Sequence, residues 1–130
     1  MPTLAVRDES APGRVVYEFN LDFLTERITV RELIRSRVHQ EVQDYNAKSG
    51  GTYRGLVAPT EAEKTLNGFK LRPGRKLDWK AQFETALDAF SRGQVLILVD
   101  DEQVTGLDEA IVIRPKSHVS FLKLVPLVGG

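Results

Sequence analysis

The sequence predicts an α+β domain in which a mixed sheet of four to five strands packs on a helix. Three observations carry this. Alternating apolar residues near the start read as a hairpin, and a helical stripe from Val30 to Tyr45 reads as an amphipathic helix. The run Val95-Leu96-Ile97-Leu98-Val99 reads as a strand covered on both faces. With 130 residues, 42% hydrophobic and 28% charged, the chain has the size and composition of one globular domain.

The hairpin comes first. Leu4 and Val6 alternate with Thr3, Ala5 and Arg7. Ser10-Ala11-Pro12-Gly13 supplies the turn, because proline presets φ and glycine tolerates positive φ. Val15, Tyr17 and Phe19 alternate with Arg14, Val16 and Glu18 in the second strand. The run from Asn20 to Arg27 leads into the helix. Thr29 and Glu32 have the spacing of a capping box, which satisfies orphan N–H groups at a helix start. Val30, Leu33, Ile34, Val38, Val42 and Tyr45 form the apolar stripe, and Arg31, Arg35 and Glu41 are expected in water on the opposite face. Asn46 to Gly51 ends the helix.

Residues 47–93 read as an insertion with helical content. Gly50-Gly51-Thr52-Tyr53-Arg54-Gly55 is expected to be a flexible linker, since it lacks the Gly-Lys-Ser/Thr end of a phosphate loop. Thr60 and Glu63 suggest a short helix closed by Asn67-Gly68, and Leu71 to Arg75 a turn. A firmer helix follows an N-cap at Asp78. Its stripe is Trp79, Phe83, Ala86, Leu87 and Phe90, and Gly93 suits its exit. After the apolar strand, Asp100-Asp101-Glu102 makes a turn, Gln103-Val104 a short strand and Leu107 to Pro115 a connection buried at Leu107, Ile111 and Ile113. Val119, Phe121 and Leu124 lie in or near a last strand. That strand is expected beside the first, with residues 125–130 leaving the sheet as a flexible tail. This is the logic of a β-grasp fold.

Composition excludes several functions. Eighteen basic residues balance eighteen acids, so no net field points to nucleic acid or membrane. No apolar run approaches the roughly 18–20 residues of a membrane span. Without cysteine there are no disulfides, cysteine-ligated metals or cysteine nucleophiles. Met1-Pro2-Thr3-Leu4 lacks the pattern of a signal peptide, so a cytoplasmic protein is expected. Two histidines, His39 and His118, make no catalytic or metal constellation with the acids around them.

Three stretches resemble the ubiquitin-like superfamily, including the sulfur carriers of thiamine and molybdopterin synthesis. Ile28-Thr29-Val30-Arg31-Glu32-Leu33-Ile34 is similar to the carriers' helix start. Val95 to Val104 is similar to the ubiquitin-type strand, acidic or polar turn and short strand. Val119-Ser120-Phe121-Leu122-Lys123-Leu124, followed by Pro126-Leu127-Val128-Gly129-Gly130, is similar to the family's last strand and diglycine tail. The likeness covers about residues 1–46 and 94–130.

The resemblance implies a substrate rather than an enzyme. An ATP-dependent adenylating enzyme would activate the Gly130 carboxylate, and the chain itself would bind no cofactor and no metal. A carboxylate is a poor electrophile, whereas a mixed anhydride with AMP has a good leaving group and yields to a partner's thiolate. Gly130 leaves both faces of its carbonyl open, and Gly129 lets the backbone enter a narrow channel. Pro126 would stop the strand, while Leu127 and Val128 would anchor in a partner groove.

Two fates are implied. In one, the acyl group passes to a conjugating enzyme and then to an amine of a target protein, with a deconjugating peptidase to reverse it. In the other, it becomes a thiocarboxylate that donates sulfur. The apolar tail is closer to the sulfur carriers, while the length and insertion favour the modifier. A non-covalent ubiquitin-like adaptor is a third reading. A chain ending at Gly-Gly would need no maturation protease.

Two charged stretches are candidate docking spots. Asp100 and Asp101 would face a basic enzyme surface, with a solvated turn as the plainer reading. Residues 47–80 hold eight basic residues against three acids, with Arg72, Arg75 and Lys76 as the densest group. Thin aromatic interleaving there argues for solvated surface before a nucleic-acid patch.

Overall fold

The computed structural model describes residues 2–48, 52–53, 55–59, 63–65, 68–70 and 76–124. The chain divides into two units, Met1–Leu33 with Ala89–Gly130, and Ile34–Asp88.

The first unit is built on a mixed five-stranded sheet. Strands β1 (Thr3–Ala11) and β2 (Arg14–Asp22) form the antiparallel hairpin, and its turn holds Gly13 at φ 78°. Strands β7 (Val95–Val99), β8 (Glu102–Val104) and β10 (His118–Lys123) complete it in the order β2-β1-β10-β7-β8. The last strand lies beside the first, as expected, and runs parallel to it with Val6 opposite Val119. Register puts one face together: Leu4 opposite Leu21, Phe121 opposite Ile97 and Ile97 opposite Val104, all of them buried. The alternation read from the sequence therefore marks the core face of β1. On β2 it overstates burial: Tyr17 and Phe19 are half-buried, and Val15, which pairs with Glu9 between register shifts at Asp8/Glu9 and Glu9/Ala11, is exposed. An edge strand has neighbours on one side only, and such irregularities turn it away.

A second ladder went unread in the sequence. Strand β3 (Arg27–Thr29) pairs antiparallel with β9 (Ala110–Val112), placing buried Ile28 opposite buried Ile111. Three residues are too few to show a period. This ladder delivers the chain into α1 (Val30–Lys48). The helix's first N–H groups find acceptors nearby: Val30 donates to the Glu109 carbonyl at 3.0 Å and Arg31 to that of Leu107 at 2.9 Å. The Glu32 N–H donates to Thr29 Oγ1 at 3.1 Å, which is the predicted cap. All six residues of the predicted α1 stripe are buried.

The second unit holds most of α1, a small sheet and most of α2 (Trp79–Ser91). The expected helix between Thr60 and Gly68 is replaced by strands β5 (Glu63–Thr65) and β6 (Gly68–Lys70), with β4 (Thr52–Tyr53) on the far side of β6. Asn-Gly ends a helix but is also a strong hairpin signal, and so short a helix is marginal alone.

Asp78 caps α2 as predicted, accepting from the Lys80 N–H at 3.1 Å. The helix exits through Gly93 at φ 75°, whose N–H reaches the Phe90 carbonyl at 3.1 Å. Ala86 and Phe90 of its predicted stripe are buried, while Trp79, Phe83 and Leu87 are half-buried. Gln82 and Ala89 are buried in addition, so the inward face is rotated from the predicted one.

Candidate functional site

The residues expected to carry the chemistry, Gly130, Gly129, Val128, Leu127 and Pro126, lie outside the described residues, as do Arg72 and Arg75. The described residues end at Leu124, just past β10. Strand β10 is held on both sides, by β1 and by β7, and Lys123 lies opposite Val95. The Leu124 N–H then donates to the Gln94 carbonyl at 3.0 Å. Asp8 and Lys123 stand at the same end. Lys123 Nζ is 3.4 Å from Asp8 Oδ2, and the Asp8 side chain is almost wholly buried. Both residues interrupt an apolar alternation, Leu4-x-Val6-x-Asp8 on β1 and Val119-x-Phe121-x-Lys123 on β10. That break is a signal the sequence offered. Charges of opposite sign at the ends of two neighbouring strands offset the cost of burying one of them.

Asp100 and Asp101 form the β7–β8 turn, both at positive φ (49° and 70°), and both are exposed. The turn is solvated, as expected, and His118 is in addition engaged with both residues. Its ring nitrogens lie 3.3 Å from Asp100 Oδ1 and 3.4 Å from Asp101 Oδ1. Lys76 is exposed, and its Nζ donates to the Asn46 carbonyl at 2.7 Å. The Asn46 side chain in turn clamps Leu77, donating to its carbonyl at 3.1 Å and accepting from its N–H at 2.9 Å.

The densest polar cluster lies in the second unit and corrects two expectations. Glu41, expected in water, is nearly buried and joins Arg37, which has no exposed surface. Arg37 Nε donates to Glu41 Oε1. The other oxygen accepts from the Tyr53 hydroxyl and from the Leu56 N–H, each at 3.2 Å. The expected flexible linker around Gly50–Gly55 is therefore anchored at Tyr53, which is 2% exposed and meets Tyr45 edge-on at 5.6 Å. A buried carboxylate attracts donors that water would otherwise replace. Burial first, then the negative charge of Glu41, pushes the Tyr53 phenol far above its ordinary range. The i, i+4 spacing of Arg37 and Glu41 was legible, but helical pairs of that kind are ordinarily exposed.

Trp79 lies half-buried between two α1 side chains, with Arg35 over its ring at 5.2 Å and His39 edge-on at 5.1 Å. Among the described residues, no group of three or more His, Asp or Glu is arranged to hold a metal ion, and no helix is long and apolar enough to cross a membrane. No protein-family model, curated protein sequence or solved structure matches this chain.

Proposed function

We propose that the chain is a ubiquitin-like protein modifier of β-grasp fold, activated by adenylation of its C-terminal carboxylate and joined to target proteins through Gly130. The observation that carries this reading is the placement of β10. The last strand lies in the middle of the sheet, parallel to the first, in the order β2-β1-β10-β7-β8. A β-grasp requires that order, and the sequence after this strand runs to Gly129-Gly130.

The chemistry follows from the division of labour. The partner enzyme supplies ATP and expels pyrophosphate, leaving an acyl adenylate on Gly130. A thiolate of the enzyme then displaces AMP, and an amine of the target displaces the thiolate to give an amide. This chain contributes the acyl group and a surface that docks it, and needs no general base of its own. Gly129 and Gly130 present the carbonyl without Cβ atoms, and Leu127 and Val128 seat the segment in the enzyme's groove.

The apolar Pro126-Leu127-Val128 segment supports a second reading, a sulfur carrier, in which an enzyme persulfide displaces AMP from the same adenylate and a second enzyme thiol then cleaves the acyl disulfide, forming an enzyme disulfide and releasing a terminal thiocarboxylate. Intact mass after incubation with ATP and an adenylating enzyme of the ubiquitin-activating type separates the two. Higher-mass protein adducts that vanish on deletion of Gly130 support the modifier. A single oxygen-to-sulfur shift supports the carrier. An unchanged mass with the enzyme active contradicts both and leaves a non-covalent adaptor.

A further inference from the structure

The β7–β8 turn rests on two residues in the left-handed region, Asp100 at φ 49° and Asp101 at φ 70°. Asparagine, aspartate and glycine are the usual occupants of such two-residue turns, and Asp-Asp lacks the glycine that ordinarily takes the second position, where local support helps. His118 at the start of β10 supplies it. The Asp100 N–H donates to the His118 carbonyl at 2.9 Å, and the His118 N–H donates to Asp100 Oδ1 at 3.0 Å.

The imidazole continues the bracket. Nδ1 faces Asp100 Oδ1 at 3.3 Å, and Nε2 faces Asp101 Oδ1 at 3.4 Å. A neutral imidazole carries one N–H, so one ring nitrogen then turns a lone pair toward a carboxylate oxygen. Only the imidazolium is drawn to both carboxylates, through the hydrogen bond at Nε2 and the charge contact at Nδ1. We propose that His118, Asp100 and Asp101 form a proton-operated latch on the β7–β8 turn, closed when the ring carries both protons and half-released when it carries one.

The remaining charges do not fill this role. Glu102 follows the turn, and Arg114 and Lys116 precede β10. On β1, Ala5 is the cross-strand partner of His118. Arg7 lies two residues further along, opposite Glu18 on β2, and Asp22 lies opposite Thr3. The charges in contact with the ring are the two aspartates. A closed latch brings a positive charge between them, and a half-released one leaves the two carboxylates without that charge. The latch therefore sets the charge that this turn offers to a partner.

Amide hydrogen exchange of the full chain by NMR tests it without reference to conjugation. Protection of the Asp100 and His118 amides, corrected for intrinsic exchange and referenced to the buried Val6 and Val119, is compared at pH 5 and pH 8. The expected result is about two- to fivefold greater protection at pH 5 in the wild type. The difference should be absent in His118→Gln and smaller in Asp101→Asn. Equal responses in the wild type and His118→Gln overturn the proposal, as does an Asp101→Asn response as large as the wild type's.

Discussion

The Tyr53 hydroxyl donates to Glu41 Oε2 at 3.2 Å, across twelve residues of sequence, and ties the segment after α1 back onto the helix. The Leu56 N–H shares that oxygen, while Arg37 takes the other. One carboxylate thus organises a guanidinium, a phenol and a backbone amide in a buried setting.

Replacing Glu41 by Leu is expected to cost about 3–5 kcal/mol, because it removes from a buried cluster the carboxylate that accepts from Arg37, Tyr53 and the Leu56 N–H. The double variant Arg37→Met, Glu41→Leu should lose less than the two single losses combined, since an apolar pair leaves no stranded charge. Urea unfolding of the four proteins in a double-mutant cycle checks this.

Alkaline stability should report Tyr53. The folded chain holds the phenol protonated above the ordinary tyrosine range, so the unfolded chain ionises first. The contribution of the neutral phenol is complete below about pH 10 and is lost as pH rises beyond it. Urea midpoints measured from pH 8 to pH 11 should fall more steeply for the wild type than for Tyr53→Phe. Parallel curves would contradict the buried phenol.

Gly55 lies against the Tyr53 ring so closely that an added Cβ would overlap three of its atoms. Tyr53 is nearly buried, so the ring has little room to yield. Gly55→Ala should destabilise the second unit by about 1–3 kcal/mol through overpacking. Amide protection near Tyr53 should fall while Val6 and Val119 keep theirs. A uniform loss across both units would argue for a different role.

Phe121 anchors the central strand, fully buried opposite Ile97. Phe121→Ala should cost about 3–5 kcal/mol by cavity formation. Leu124→Ala, at an exposed position just past the strand, should stay within about 0.5 kcal/mol of the wild type. Chemical denaturation of both variants decides.

The sheet was legible wherever burial imposed a period. Leu4 and Val6 marked an inner face, Val95 to Val99 an interior strand, and the α1 stripe a buried side. In each case solvent exclusion acts on a regular geometry. The β3–β9 ladder and the β5–β6 hairpin were not legible, because three-residue strands carry no period and Asn67-Gly68 serves two kinds of ending. The Arg37–Glu41–Tyr53 cluster was missed for a different reason. Its members are residue types found mostly at surfaces, and only the return of the chain at Tyr53 removes them from water. His118 met its two aspartates through β10 lying beside β7, a pairing that spacing alone does not reveal.

The central claim is that an adenylating enzyme activates the terminal glycine carboxylate. ATP–pyrophosphate exchange by an adenylating enzyme of the ubiquitin-activating type measures that step directly. The account predicts exchange that depends on this chain and disappears in Gly129→Val and on deletion of Gly130, with urea midpoints of both variants unchanged. Exchange that proceeds equally with either variant, or is absent with a correctly folded wild-type chain and an enzyme active on another carboxylate substrate, would contradict it.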